Sequence, residues 1–281
     1  MPNQDCKLPH GVKKIEVNGY DMAYFESGTG QPLVLVHGSL SDYRVWDLQV
    51  KAFSQAFQTI AISLRHCYPE KWDGQGDTFS VQQHADDLSV FIKKLKSGPV
   101  HLLAHSRGGD VALVFAAKHP ELLQSLILMD PAPFNTMLPD APEVKAESKK
   151  RKGFVEEAIA RMQKDDLDGG LELFTDAVST PGNWQNLSKE AKQIRRDNAW
   201  SLKSLVADAQ VKFTCADAKK IDVPVLLITG DKSPDLYGMM HEALQPCLKT
   251  YQKVTVSDAS HGMHKDNPQM FNALVMDFLK G

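Results

Sequence analysis

Cysteine is scarce in this sequence, and neither sign of charge dominates it. The four cysteines, Cys6, Cys67, Cys215 and Cys247, are far apart and form no C-x-x-C pair, so their spacing indicates neither a zinc site nor a small disulfide scaffold. We expect idle thiols, which fit a reducing compartment. The formal net charge of -3 argues against the basic surface typical of nucleic-acid-binding proteins, so no nucleic-acid partner is predicted.

Long apolar runs are also missing. No stretch approaches the roughly 18 uninterrupted apolar residues that a membrane span needs, and the first residues, MPNQDCKLPHGVKK, lack the apolar run of a signal peptide. We therefore expect a cytoplasmic protein, either a monomer or a homodimer. The hydrophobic share of 42% and the charged share of 24% are those of an ordinary globular protein with a sizeable core.

Apolar runs of strand length alternate with helical patterns along most of the chain. This alternation is typical of an α/β fold whose βαβ units build a mostly parallel sheet. The first two strands differ, because Asn18-Gly19 between VKKIEV and YDMAYFES predicts a two-residue hairpin turn. The later predicted strands are PLVLVH (32 to 37), QTIAISL (58 to 64), PVHLLA (99 to 104), SLILMD (125 to 130), VPVLLITG (223 to 230) and YQKVTVSD (251 to 258). Ser80 and the helical spacing that follows it predict a helix between the second and third of these.

The interval from residue 131 to residue 222 breaks this rhythm. It carries helical patterns, has few strand signals and is far longer than an ordinary connection. We expect it to be a helical cap, or lid, inserted into a core domain made of residues 1–130 and 223–281.

Ser106 is the candidate nucleophile. The segment LLAHSRGGDVALVFAAKHP places it between a buried strand and an apolar helix, with Ala104 before it and Gly108 after it. This nearly matches the G-x-S-x-G nucleophile elbow, in which small neighbours let the strand and the helix approach closely. The context predicts a serine whose hydroxyl is exposed above the sheet.

A serine hydroxyl needs a base to remove its proton, and histidine titrates in the required range. His261 lies in a short loop after the last predicted strand and before the final helix, where the chain returns to the sheet that holds the serine. It is the predicted base. His264 is expected to pack or to cap the helix that follows.

The third member of such a catalytic triad is an acid that orients the imidazole. Two carboxylates are candidates for this role. Asp130 ends the strand SLILMD, and Asp231 follows the strand VPVLLITG. Both keep the chain order serine, acid, histidine. The usual loop pattern G-x-x-D would place the acid at Ser233, so Asp130 is preferred and Asp231 is the alternative.

The strand PLVLVH leads directly into His37-Gly38-Ser39-Leu40. A sharp turn there can present backbone amides to an oxyanion, which needs two preorganised donors. We assign these donors to the backbone N–H groups of Ser39 and Arg107. Candidate substrate-binding residues of an apolar pocket are Leu40, Phe174, Trp184 and Trp200.

These pieces together make the chain resemble the α/β-hydrolase superfamily from about Lys13 to Leu279. The matching segments are VLVHGSLSDYRVW, LLAHSRGG, LILMDPAP, VPVLLITGDKSP and ASHGMHKDNP. The resemblance implies an eight-stranded, mostly parallel sheet with helices on both faces, and a helical cap after the sixth strand. It also implies that Ser106 and His261 act as nucleophile and base, and it supports Asp130, because some relatives carry the acid after the sixth strand. The loop RHCYPEKWDGQGD after QTIAISL departs from the short D-x-x-G-x-G-x-S loop of many members, so we expect an unusual pocket rim.

The sequence thus predicts a serine hydrolase that cleaves an ester or lactone of a small to medium hydrophobic substrate, with no metal or organic cofactor. Because the elbow holds serine rather than aspartate, the resemblance does not favour haloalkane dehalogenases or epoxide hydrolases. The alternatives on the same residues are a carbon-carbon bond hydrolase or a peroxide-dependent enzyme. An alternative of another class is a ligand-binding receptor that retains the triad.

Overall fold

The computed structural model describes residues 8–76, 79–208 and 211–281. Within them, eight strands form one sheet in the order β1-β2-β4-β3-β5-β6-β7-β8. β1 and β2 are antiparallel to each other, β2 is antiparallel to β4, and the remaining neighbours are parallel. The strands are β1 (Val12–Val17), β2 (Tyr20–Ser27), β3 (Pro32–Val36), β4 (Gln58–Ile62), β5 (Val100–His105), β6 (Leu123–Met129), β7 (Val225–Gly230) and β8 (Tyr251–Val256). The predicted eight-stranded, mostly parallel sheet is confirmed.

The helices pack on both faces of this sheet and in one long connection. They are α1 (Asp47–Phe53), α2 (Val81–Leu95), α3 (Arg107–Lys118), α4 (Pro142–Met162), α5 (Leu167–Val178), α6 (Asn183–Asn186), α7 (Lys189–Asp197), α8 (Lys203–Asp208), α9 (Cys215–Ala218), α10 (Asp235–Leu244), α11 (Met263–Asp266) and α12 (Pro268–Lys280). As predicted, Ser80 caps α2, since its hydroxyl accepts from the Gln83 amide at 3.1 Å. No helix in the described ranges is long and apolar enough to cross a bilayer.

Alternate residues of the central strands face opposite layers, because successive side chains of a strand point to opposite faces. On β3, Leu33 and Leu35 join the apolar cluster that contains Trp46, whereas Val34 and Val36 join the cluster that contains Phe91. All five residues of β3 are buried. This double burial explains the unbroken apolar run in the sequence.

The Asn18-Gly19 turn joins β1 and β2 as predicted. Asn18 has φ 49° and Gly19 has φ 76°, and both values lie in the left-handed region that a type I′ hairpin turn requires. The pairing Val17↔Tyr20 brackets the turn. The hairpin therefore adds the antiparallel edge of the sheet.

Helices α4 to α9 lie between β6 and β7, in the interval that the sequence predicts to be helical. Apolar side chains of α4, α5, α6 and α8 form a separate cluster, to which Leu40 contributes from the loop after β3. Phe174 and Trp184 belong to this cluster. The division of the chain into a core domain (residues 1–130 and 223–281) and an inserted cap (residues 131–222) stays a prediction.

The expectation of idle thiols is wrong for two of the four cysteines. Cys215 and Cys247 form a disulfide across 32 residues of sequence. Cys67 is free and buried, and Cys6 lies outside the described residues. Spacing could not reveal the pair, because the two cysteines are brought together only by the return of the chain to the sheet.

Candidate active site

Ser106 occupies the sharp turn between β5 and α3. Its φ of 54° and ψ of -126° lie outside the regions that non-glycine residues ordinarily adopt, as expected for a nucleophile elbow. The turn is held by its backbone, because the Ser106 amide donates to the Met129 carbonyl at 3.0 Å and its own carbonyl accepts from Ala132 at 3.1 Å. Hydrogen bonds to the end of β6 and to the residues just after it therefore hold the strained turn in place.

The close approach of α3 to the sheet depends on Gly108. A Cβ atom at this position would lie 2.3 Å from the His37 carbonyl oxygen, which no side chain could accommodate without moving the backbone. Ala104, one residue before the turn, is fully buried. The small residues required by the elbow pattern thus have a steric reason.

His261 lies in the loop after β8, and its imidazole meets the carboxylate of Asp130. His261 Nδ1 is 3.3 Å from Asp130 Oδ2, and both side chains are buried. The loop comes close because Gly230 leaves room for it: a Cβ there would lie 2.3 Å from the Ala259 carbonyl oxygen. His105, next to the serine, makes a hydrogen bond from Nε2 to the His261 carbonyl at 3.0 Å.

Asp231, the alternative acid, does not meet His261. Its two carboxylate oxygens accept from the backbone amides of Asp258 and Ala259, each at 3.0 Å. These bonds lower the pKa of Asp231. Asp231 therefore shapes the loop that carries His261, and the position of the usual acid is filled by Ser233, whose hydroxyl donates to Asp130 Oδ2 at 2.6 Å.

Burial sets the charge states of the pair. Burial lowers the pKa of the His261 imidazole to about 3, with the positive charge of Arg151 adding to the effect. Burial raises the pKa of Asp130 to about 6, against the opposing influences of His241, Ser233 and Thr229. At neutral pH the ring is neutral and the carboxylate is ionised, which is the combination that can accept a proton from a serine.

Tyr237 is a site residue that the sequence analysis missed. Its ring stacks on the His261 ring with centroids 4.0 Å apart and planes 11° apart. Burial raises the pKa of Tyr237, and the nearby Ser106 side chain opposes that rise. Tyr237 thus lies beside both the candidate nucleophile and the candidate base.

One stretch of chain, residues 233–241, supplies three side chains that influence the candidate triad. Ser233 donates to Asp130, Tyr237 stacks on His261, and the charge of a protonated His241 lowers the pKa of Asp130. These three residues are four positions apart, which is the spacing of one helix face. That spacing in GDKSPDLYGMMH, directly after a strand that ends at the carboxyl edge of the sheet, was the signal available in the sequence.

A cavity of about 670 Å³ opens above the serine. Ser106 and His261 both line it, together with the predicted residues Ser39, Leu40 and Phe174. Its wall also includes polar and charged side chains of α6 and α7. Ser106 and His261 therefore face one common space, as the proposed chemistry needs.

Two predicted substrate-binding residues do not line this cavity. Trp184 is buried in the apolar cluster of the connecting helices, with the Lys192 amine 5.5 Å from its ring centroid. Trp200 packs against the same cluster, and the Lys203 amine lies 4.6 Å from its ring centroid. Both tryptophans pack between helices, and their role in substrate binding stays a prediction.

Ser39 and Arg107, the two predicted oxyanion donors, differ in their position relative to the cavity. Ser39 lines it, whereas the side chain of Arg107 is buried and donates from Nη1 to His84 Nδ1 at 2.9 Å. Arg107 is the first residue of α3, so its amide is at the positive end of that helix. The assignment of the two backbone amides as oxyanion donors stays a prediction.

The chain belongs to the α/β hydrolase fold family, whose sequence model matches residues 31–268. It is 25% identical over 287 residues to epoxide hydrolase 3 of Xenopus tropicalis, covering 96% of this chain and 78% of that protein. It is 21% identical to 2-(acetamidomethylene)succinate hydrolase of Mesorhizobium japonicum, covering 95% and 94%. The structure of a thermophilic esterase from Thermogutta terrifontis superimposes with a TM-score of 0.74 at 23% identity, covering 96% of this chain and 98% of that one.

The fold, the site and the family together define a hydrolase of the α/β-hydrolase superfamily. The resemblance stated from the sequence motifs is therefore confirmed. In the described ranges, no group of three or more histidine, cysteine, aspartate or glutamate side chains is placed to hold a metal ion.

Proposed function

We propose that this chain is a serine esterase that cleaves an ester or lactone through an acyl-enzyme on Ser106. One observation carries the proposal. A serine on a strained strand-helix turn lines the same cavity as a neutral imidazole, and that imidazole is held by a buried carboxylate. These are the three groups that acyl transfer to a serine hydroxyl requires.

The reaction would proceed in two steps. In the first, Ser106 Oγ attacks the ester carbonyl carbon, His261 takes the hydroxyl proton and passes it to the leaving alkoxide, and the alcohol departs. In the second, His261 activates a water molecule that attacks the acyl-enzyme and releases the acid. The amides of Ser39 and Arg107 would hold the negative oxygen in both steps.

Asp130 would hold His261 in the tautomer whose second nitrogen accepts the serine proton. Ser233 would keep the carboxylate in place through its 2.6 Å hydrogen bond. The helices between β6 and β7 would form the cap of the cavity, because Phe174 and α7 contribute to the cavity wall. The substrate is a small molecule, and no nucleic acid enters the proposal.

A serine at the elbow argues against ester formation on a carboxylate, which the family's epoxide hydrolases use. The relative from Xenopus tropicalis is named an epoxide hydrolase, but Ser106 stands where such an enzyme needs aspartate. Cleavage of a carbon-carbon bond, peroxide-dependent chemistry and a receptor-like role on the same residues are the alternatives if no ester is turned over.

The test combines an ester panel with active-site labelling. Purified protein is assayed on p-nitrophenyl esters of increasing acyl length, and a fluorophosphonate probe followed by peptide mapping identifies the modified residue. We expect multiple turnovers, labelling of Ser106, and loss of both in Ser106→Ala. Ser257→Ala, which removes an exposed serine, is the matched control and should retain both.

Two results would contradict the proposal. Substantial turnover by folded Ser106→Ala would remove the serine from the mechanism. A single slow burst without turnover on every ester would favour the receptor-like role or a different bond as the target.

A further inference from the structure

Arg195 is a cationic residue of the cavity that the proposed reaction does not use. It lies in the last turn of α7 and lines the cavity together with Ser106 and His261. The residue is partly buried. A guanidinium in the wall of the cavity that holds the candidate nucleophile calls for a physical reason.

The protein itself gives Arg195 little compensation for its charge. Nη1 donates to the Ala191 carbonyl at 3.1 Å, within the same helix. No carboxylate in the described part of the chain forms an ion pair with it. Nearby cations are compensated differently, in the pairs Arg44 with Asp42 and Asp197, Arg196 with Asp168, and Lys265 with Asp47.

The acidic side chains of the cavity wall are engaged elsewhere. Asp47 pairs with Lys265. Asp266 accepts from the Ser260 amide at 2.9 Å. The pKa of the exposed Glu190 is lowered by backbone hydrogen bonding and by Ser188. These groups do not neutralise Arg195.

Two imidazoles of the cavity wall feel the charge of Arg195. Burial is the main cause that lowers the pKa values of His105 and His264, and Arg195 makes a small further contribution to each. Burial also lowers the pKa of Arg195, to about 10, so the guanidinium stays charged at neutral pH. A permanent cation therefore faces the cavity among neutral rings, a costly arrangement unless an anion arrives.

We propose that Arg195 binds a carboxylate of the substrate, so that the preferred substrates are esters that carry a free carboxylate, such as half-esters of dicarboxylic acids. The planar guanidinium can hold a carboxylate through two parallel hydrogen bonds. The ester carbonyl of the same molecule would then lie over Ser106. This inference rests on the proposed esterase function and names the substrate class of the same site.

The test compares esters that differ only in this charge. Monomethyl glutarate carries one free carboxylate, and dimethyl glutarate masks it with a methyl group. The corresponding succinate and adipate pairs vary the distance between the ester and the carboxylate. Hydrolysis is followed by titration of the released acid, and kcat and KM are measured for each ester.

We expect the protein to prefer one monoester over its diester. Arg195→Met should lower kcat/KM for that monoester by about 10- to 100-fold, the size expected for a lost hydrogen-bonded ion pair, and should change the diester little. Arg195→Lys keeps the charge and should retain part of the preference. Arg196→Met, which removes the neighbouring cation that pairs with Asp168, is the matched control and should keep the preference intact.

The outcomes separate this inference from the proposed function. Diester hydrolysis without any monoester preference in the unmodified protein would overturn the inference and leave the esterase function standing. Equal losses on both esters in a folded Arg195→Met variant would also overturn it, because a structural role produces no charge discrimination. No hydrolysis of any ester, charged or neutral, would defeat the proposed function itself.

Discussion

Buried histidines make the stability of this protein depend on pH. Burial is the largest cause of a lowered pKa in seven of them: His37, His84, His101, His105, His241, His261 and His264. A histidine whose pKa is depressed in the folded state binds fewer protons there than in the unfolded chain. The stabilising contribution is complete above the unfolded pKa, near 6.5, and is lost as the pH falls toward the folded value.

The perturbation that isolates one ring is His241→Leu. His241 is fully buried, and neither ring nitrogen has a hydrogen-bond partner in the described structure. Its pKa is lowered to about 4 mainly by burial, with Asp130 raising it and Lys253 lowering it. Leucine has a similar volume and carries no proton, so the substitution removes the titration with little change in packing.

The size of the effect follows from the shift. Moving a pKa from 6.5 to about 4 changes the free energy of unfolding by at most about 3.4 kcal/mol, and by about 2 kcal/mol between pH 7 and pH 5. Several such rings together reach the roughly 5 to 15 kcal/mol by which proteins are stable. Asp130 acts in the opposite sense, because its pKa is raised to about 6, so its protonation favours the folded state as the pH falls.

The assay is urea unfolding followed by the fluorescence of the four tryptophans at pH 7 and pH 5. We expect the unmodified protein to lose several kcal/mol over this range, and His241→Leu to lose about 2 kcal/mol less. His10→Leu, at an exposed position, is the control and should behave as the unmodified protein does. An unchanged pH dependence in His241→Leu would refute the reasoning, because the ring would then titrate alike in both states.

Three further predictions concern the site and the disulfide. Asp130→Asn should lower kcat about 10⁴-fold, as loss of the orienting acid does in other triads, whereas Asp231→Asn should retain most of the activity; kcat on one ester decides between them. Tyr237→Phe keeps the ring on His261 but removes the hydroxyl beside Ser106, so kcat/KM should fall about 5- to 10-fold. Replacing Cys215 and Cys247 by alanine should lower the free energy of unfolding by about 3 to 4 kcal/mol, as expected for opening a loop of this length, measured by urea unfolding without reductant.

Each of these has an opposite outcome that would contradict it. Loss of activity in Asp231→Asn with survival of Asp130→Asn would exchange the roles of the two acids. Unchanged kinetics in Tyr237→Phe would reduce the tyrosine to a packing residue. Equal stability of the alanine double variant and the unmodified protein would show that the bridge does not constrain the unfolded chain.

The sheet could be predicted from the sequence because its signals are local. The unbroken apolar run of β3 and the Asn18-Gly19 turn each depend on neighbours in the chain. The turn at Ser106 could also be predicted from the sequence, because an elbow needs small residues on both sides within a few positions. Steric rules that act between neighbours in the chain were therefore sufficient to predict the sheet and the turn at Ser106.

Contacts between residues that are far apart in the chain could not be predicted from local sequence patterns. Asp130 and Asp231 both follow strands and keep the expected chain order, so only the three-dimensional position of the His261 loop shows that one of them meets the imidazole. The disulfide between Cys215 and Cys247 likewise depends on how the chain brings two distant residues together. Trp184 was interpreted as a pocket residue because an aromatic residue is equally suited to a pocket and to a helix interface.

The attachment of Asp130 limits how the helices after β6 can move. The Asp130 amide donates to the Ile228 carbonyl at 3.1 Å, and the Ala132 amide donates to the Ser106 carbonyl at 3.1 Å. Residues 130–132 are therefore fastened on both sides to the sheet and to the elbow. If α4 to α8 swing away to admit a substrate, the pivot has to lie beyond Ala132, so the entrance can open while the acid keeps its place.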